Sequence, residues 1–267
     1  MTLPLRVAPP LAFGSRRSLR LIERNLYVYK HTWIVLVSGF FEPLFYLLSI
    51  GFGLGRLVGD VPGPGGAPIP YQLFIAPALL ASSSMNGAIF EATLNFFFKL
   101  KYQKTFDAIL STPLSTADIA LGELIWSLIR GGLYTVGFLV VTVALGLAVS
   151  PWLILALPAS VLISLAFGAV GMAATSYMRT WQDFDLAQLV ILPLFLFSGT
   201  FYPIDAYPEG VRLFVQLTPL YQGVDLLRSL VVGHLDASLI VHVVYLGVMG
   251  IVGLAIVARR LDKLLLK

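Results

Sequence analysis

Between Trp33 and Val257 the chain alternates long apolar runs with short polar connections, and no other feature narrows its fold as much. A bilayer needs ~20 predominantly apolar residues per crossing helix. Runs of that kind are expected at 33–57, 71–96, 119–149 (its start at Ile119 or Glu123), 152–177, 186–201 and 238–257. A soluble core could not absorb them. Hydrophobic residues make up 58% of the 267 and charged residues only 12%, against ~25% charged in soluble domains, so too few charges remain to cover an outside. The sequence reads as an all-α polytopic membrane protein with six transmembrane helices.

Lysine and arginine orient it. Of the 18, fourteen fall on one side of the expected spans, Arg56, Arg212 and Arg228 on the other, and Arg130 within a span. The rich side is expected to be cytoplasmic, with both termini there, and this bias rather than a nucleic-acid partner explains the net charge of +4. Trp33, Trp152 and Trp181 fall at expected boundaries, as interfacial anchors should. With no cysteine, disulfides, zinc–thiolate sites and cysteine nucleophiles are excluded. No P-loop and no G-x-S-x-G elbow occurs, and His31, His234 and His242 are far apart. No catalytic residue, metal site or cofactor is therefore assigned to the chain itself.

Residues 1–14, with Pro4, Pro9 and Pro10, read as a flexible tail. Over 15–32 an amphipathic interfacial helix is expected. Leu19, Ile22, Leu26 and Tyr29 recur on one face, while Arg16, Arg17, Arg20 and Arg24 gather on another, so the helix would lie on an anionic leaflet. A twin-arginine export signal would need an apolar run directly behind it, and LIERNLYVYK carries three charges instead. Gly51, Gly53 and Gly55 imitate a nucleotide fingerprint but lack its strand–turn–helix setting, which leaves close helix packing or a frayed end. Residues 33–258 form the six-span domain, and RRLDKLLLK, 259–267, a basic tail.

Four groups of polar residues inside that domain need a reason. The second span holds Ser82, Ser83, Ser84, Asn86 and Glu91. Ionisable groups in spans cost several kcal/mol unless paired or hydrated, and Glu42 and Arg130 lie at comparable depths, so a Glu42–Arg130 pair, or hydration of either residue in a cavity, is expected. Between spans two and three, Lys99, Lys101 and Lys104 precede a short helix whose Phe106, Ile109 and Leu110 share one face until Pro113 ends it. Such a helix suits a partner's groove or rests on lipid. From Ser198 to Leu230, Pro203, Pro208 and Pro219 break helices while Phe201, Tyr202, Tyr207, Phe214 and Tyr221 supply interfacial rings. That stretch reads as short helices dipping into the outer leaflet, or as an external loop.

Taken together, EPLFYLLSIGFGLG, TFDAILSTPLSTADIALGE and LFLFSGTFYPIDAYPEGVRLFVQLTPLYQGVDLLRSL resemble the membrane permeases of ABC transporters of the second exporter type. Within that ABC-2 group the likeness is to the nodulation-factor (lipo-oligosaccharide) and daunorubicin exporter branch, over residues 15–260. The resemblance implies a connecting helix at 15–30 and a coupling helix at 105–112, with Thr105, Phe106, Asp107, Ile109 and Leu110 seated in a cleft of a separate ATPase subunit. It implies a second contact through Arg179 and Asp183. Re-entrant extracellular helices at 201–232, between spans five and six, would close the outer end through Phe201, Tyr202, Pro203, Pro219 and Tyr221. The partners implied are two ATPase chains that hold ATP and magnesium, a second permease copy, identical or related, and membrane lipids, with no nucleic acid. Spans one, two and five of the two copies would expel a lipid-like, glycolipid, oligosaccharide or amphipathic drug substrate from a bacterial inner membrane. The proline-bearing tail is not part of the family's pattern. An ATP-independent channel or lipid scramblase of similar fold is the alternative. A transferase acting on lipid-linked sugars would need converging carboxylates, whereas Glu42, Glu91 and Glu123 are spread over three spans.

Overall fold

The computed structural model of the protein describes residues 18–30 and 41–266. The 1–14 tail, Arg16, Arg17 and the Trp33 anchor lie outside them. Helix α1, Ser18–Tyr29, turns Leu21 and Asn25 inward, 2% and 1% exposed, and leaves Leu19 and Leu26 about half exposed. The inward stripe is thus 18, 21 and 25, a face that the spacing of 19, 22, 26 and 29 did not pick out. Gly122 explains the choice, because a Cβ there would lie 2.7 Å from the Leu21 side chain and 3.2 Å from the Ser18 carbonyl. The apolar face that the periodicity picked out is left for the surroundings.

Helix α2, Phe41–Val58, leads into a β-hairpin of β1, Asp60–Pro62, and β2, Pro68–Pro70, paired antiparallel with Val61 opposite Ile69. Gly65 and Gly66, at φ of 74° and 80°, make the turn that other residues would resist. Helix α3, Tyr71–Tyr102, is the axis of the bundle: 83% of its most apolar window is buried. Its serines face protein rather than lipid. Ser82 and Ser84 donate to carbonyls one turn back, and Ser84 also meets Thr135 at 2.9 Å. Two π-helical stretches, Glu91–Asn95 and Phe98–Tyr102, widen its second half.

Lys104, in the left-handed region at φ 48°, turns the chain into α4, Thr105–Leu110. A capping box between Ser115 and Asp118 starts α5, Thr116–Ala144. Helix α6, Pro151–Thr175, runs back, and then come α7, Asp183–Leu196, α8, Glu209–Leu217, α9, Pro219–Val232, and α10, Ser238–Leu265.

Among the described residues five helices are long and apolar enough to cross a membrane: α2, α3, α5, α6 and α10. The run expected as a span at 186–201 is instead the 14-residue α7. At 1.5 Å per residue it covers ~21 Å of a ~30 Å hydrocarbon core. The helix stops because Pro193 removes a donor near its end and Gly199, at φ 68°, lies outside the helical region. A second departure is the basic tail at 259–267, which through Leu265 is the last two turns of α10. No breaker follows Val257, and Val257 and Leu261 are both fully buried, so packing carries the helix onward.

The core has two parts. Leu47, Phe74, Leu79, Phe138, Ile163 and Leu227 fill the half near the hairpin, and Leu21, Phe96, Phe106, Ile119, Met172 and Leu261 fill the lysine-rich half, here the basic end. Small residues let α6 and α10 meet closely, as helices in lipid must when no hydrophobic force drives them together. A Cβ on Gly253 would fall 2.9 Å from both the Ala169 carbonyl carbon and the Val170 nitrogen, and backbone cannot yield. Gly253→Val should therefore cost about 1–3 kcal/mol or more by overpacking. Gly247→Val, with nothing within 4 Å, is the control. The check is the fraction of monodisperse protein recovered in mild detergent, which should fall for the first and not for the second.

Candidate functional site

Helices α2, α3 and α7 enclose a laterally open groove of about 780 Å³. Tyr46 and Ile50 line it from α2, Ile89 and Phe90 from α3, and Phe184, Ile191 and Phe195 from α7. Besides the hydroxyls of Tyr46, Tyr71 and Tyr202, four polar groups break the apolar wall: Glu42, Asn86, Thr93 and Gln188. A mostly apolar cleft with a few convergent polar groups suits an amphipathic molecule. The ring of Phe195 packs 6.0 Å from Tyr46 and 5.3 Å, edge-on, from Phe201. Helix α7 contributes no buried residue, and Leu186, Leu189 and Val190 are each more than 60% exposed, so the groove wall is the least supported part of the bundle.

Directly behind that wall lies a buried ionic network. The Arg130 guanidinium carbon sits 4.6 Å from the centre of the Phe90 ring, whose residue also faces the groove. Arg130 Nη1 donates to Glu91 Oε2 at 2.9 Å and its Nε to the Tyr134 hydroxyl at 3.1 Å. Lys99 Nζ reaches Glu123 Oε2 at 2.6 Å and Glu91 Oε1 at 3.4 Å. Asn95 Nδ2 donates to Glu91 Oε2 at 2.7 Å and to the Tyr29 hydroxyl at 3.0 Å. Glu91, Lys99, Glu123 and Arg130 are all at most 7% exposed. The two carboxylates balance the two cations, which is the condition for burying any of them. Tyr29 brings α1 into the set, its ring 5.3 Å from Trp126. Burial, and next the charge of Glu91, push its hydroxyl up to about 12, so it remains a proton donor at any ordinary pH.

The expected Glu42–Arg130 pair is replaced by Glu91–Arg130. On α5, Arg130 lies seven residues, about two turns, beyond Glu123 and so shares the face turned to α3. Glu42 faces the groove between α2 and α7. The network was not anticipated, although Glu91, Asn95 and Lys99 recur at intervals of four, and Glu123, Arg130 and Tyr134 at seven and four. Those spacings gather the charges on one face of each helix, which is as much of the network as the sequence could signal.

At the basic end, α4 hangs below α3 with its apolar face turned in. Phe106 is fully buried, 5.2 Å from the Phe96 ring, and Ile109 is 9% exposed. The side anticipated to enter a partner's groove is occupied by this chain's own α3, α5 and α10. Asp107 and Ala108 point outward, with Thr105 and Leu110 partly covered. Across the same end, the Asp183 carboxylate accepts the Arg179 amide at 2.6 Å and the Thr180 amide at 3.2 Å. These bonds, that of Arg179 foremost, hold the carboxyl below the usual range and make 179–183 a defined turn. Of the basic residues expected on α1, Arg20 pairs with Glu23 at 2.8 Å on the exposed side, and Arg24 is half-buried.

At the opposite end, Tyr71 donates to the Phe201 carbonyl at 3.2 Å, and the Tyr202 ring lies 6.2 Å from Tyr207. Pro203 precedes a single 3₁₀ turn, Ile204–Ala206. Pro219 opens α9, and the Thr218 hydroxyl accepts the Tyr221 amide. Arg228, tallied with the exposed outer charges, is 5% exposed. Its Nε donates to the Phe74 carbonyl at 3.1 Å and its Nη2 to that of Gly199 at 2.8 Å, with the Phe74 ring 3.7 Å away. The guanidinium ties the 198–202 segment to the central helix, and no spacing rule links residues so far apart in sequence.

Residues 18–232 match the model of the ABC-2 type transporter family. A nodulation protein J of Rhizobium leguminosarum bv. trifolii is 33% identical over 254 residues, 93% of this chain and 95% of that protein. Its counterpart in Rhizobium leguminosarum bv. viciae is 31% identical over 94% and 97%, and that of Rhizobium meliloti 32% over 83% and 82%.

Proposed function

The chain belongs to the ABC-2 type transporter family, and we propose on that premise that it is the permease of an ATP-driven exporter whose ATP and magnesium sit on a separate ATPase chain. It is a multi-pass membrane transport subunit. In our reading the basic end faces the cytoplasm of a bacterial inner membrane, two permease copies assemble with two ATPase chains, and α7 with residues 197–201 completes a sixth crossing. Helices α8 and α9 form the re-entrant pair, with Phe201, Tyr202, Pro203, Pro219 and Tyr221 at the outer closure. The substrate passes along the groove between α2, α3 and α7 and is lipid-like, glycolipid or amphipathic, which the apolar wall with its four polar groups supports.

The observation that carries this reading is α4. A short helix riveted to the bundle by Phe106 and Ile109, with Asp107 and Ala108 outward, has the build of a lever. Force applied at the outer side is passed to α3, and through Lys99, Glu91 and Arg130 to the groove wall at Phe90. Arg179 and Asp183 supply a second, stiff contact.

The test is ATP turnover by the chain reconstituted with its ATPase subunit. Asp107→Lys leaves the core untouched, and reversing a charge at a docking surface should lower coupled turnover about tenfold or more. If no ATPase chain co-purifies and Asp107→Lys behaves as wild type, the passive channel or scramblase takes its place.

A further inference from the structure

The ends of α3, α6 and α10 leave a second pocket of about 480 Å³ at the basic end. Four cations line it: Lys101 from α3, Arg179 from the turn after α6, and Arg260 and Lys263 from α10. No carboxylate is in the lining. Of the acids adjacent in sequence to these cations, Asp262 is engaged with Thr116 and Asp183 with the amides of 179 and 180. Excess lysine and arginine at this end needs no explanation beyond topology, but convergence on one pocket does.

Arg260 is the cation that its own surroundings fix in place at the pocket. Its guanidinium is stacked 4.0 Å from the Tyr177 ring and held by one bond from Nη2 to the Ser176 carbonyl at 3.3 Å. Its Nε is buried with no hydrogen-bond partner among the described residues. A buried charged donor left unmatched costs more than an ordinary lost hydrogen bond, and a guanidinium fork is matched best by a planar or tetrahedral oxyanion. We propose that this pocket binds the phosphate of an anionic glycerophospholipid from the adjacent leaflet.

The flank of α10 favours lipid over a soluble phosphate. Val252, Ile256, Arg260 and Lys263 follow one another at intervals of four, four and three, one stripe of the helix. Val252 is 52% exposed and Ile256 38%. An exposed apolar track therefore ends at the cations, which gives an acyl chain its place beside the headgroup's. Tyr177, 58% exposed at the rim, has the character of an interfacial residue. The site is separate from the groove and from Asp107 but shares Arg179 with the proposed second ATPase contact, so Arg179 is left unchanged in the test and failure of the lipid site would leave the transport reading standing.

The experiment uses the full-length protein in a neutral detergent. Binding is read by native mass spectrometry and by the shift in melting temperature on adding phosphatidylglycerol, phosphatidylcholine or inorganic phosphate. Phosphatidylglycerol should bind and raise the melting temperature, while phosphatidylcholine should bind at least about tenfold more weakly, because the cations discriminate net headgroup charge. Lys101→Gln with Lys263→Gln, both on exposed residues, should fold normally and lose most of that preference. Arg260→Lys should weaken binding as well, since an ammonium cannot fork. Equal binding of the two lipids, or a double variant that prefers phosphatidylglycerol as wild type does, overturns the proposal. Inorganic phosphate that matches phosphatidylglycerol overturns the lipid assignment. If the double variant keeps its lipid preference but no longer assembles with the ATPase chain, the cations belong to a protein contact and the proposal is again overturned.

Discussion

Glu91→Ala is expected to be the most damaging single substitution in the described structure. Its carboxylate is shared by Arg130, Lys99, Asn95 and Tyr29, drawn from three helices. Removing it leaves Arg130 buried with only the Tyr134 hydroxyl and the Phe90 ring, and Lys99 with Glu123 alone. Removing one partner of a buried pair costs about 3–5 kcal/mol, mostly for the charge left behind. Replacing both, as Glu91→Met with Arg130→Met, keeps the remaining charges balanced through Lys99 and Glu123 and should recover most of that loss. The measurement is the unfolding midpoint of the purified protein in mixed micelles. An alanine variant as stable as wild type would show that the network does not hold α1, α3 and α5 together. A double variant that folds but no longer transports would show that the charges work in the transport cycle and not only in the fold.

Phe106→Ala should have the next largest effect, and of a different kind. The ring is fully buried, 5.2 Å from that of Phe96, in the cluster that also holds Leu100, Ile119 and Leu261. Its truncation is expected to cost about 3–5 kcal/mol of local packing energy, whereas Asp107→Lys, on the outer side of the same helix, should change stability by less than about 0.5 kcal/mol. Because α4 is short and tied mainly by Phe106 and Ile109, the loss should appear as local detachment rather than global unfolding. Trypsin at Lys101 and Lys104 reads this directly: cleavage there should accelerate strongly in Phe106→Ala and stay at the wild-type rate in Asp107→Lys. Both variants should lose coupled ATP turnover, the first because the lever has no anchor and the second because it has no contact. Unchanged proteolysis in Phe106→Ala would mean that other contacts hold α4.

The two substitutions separate what periodicity could and could not tell. Spacing placed Phe106 and Ile109 on one face, and that was correct. It could not say whether the face met a partner or the chain itself, since both reward the same burial of apolar area. In α1 the spacing picked out Leu19, Ile22 and Leu26 as one face but gave no sign of the second, inward face, for which Gly122 makes room at Leu21.

Length and composition by themselves determined that this chain lives in a membrane and is helical, because a bilayer permits few other structures for runs so long and so poor in charge. The polar breaks determined where most helices end, and local chemistry such as the capping box at Ser115 and the prolines at 203, 208 and 219 marked the boundaries. Partnership among buried charges was decided only by tertiary structure. Glu91 with Arg130, Lys99 with Glu123, and Arg228 with the carbonyls of Phe74 and Gly199 join residues 24 to 154 positions apart. An ion pair depends on distance in space, which packing of α3, α5 and α9 sets, and depth along a span is only one of the three coordinates it requires.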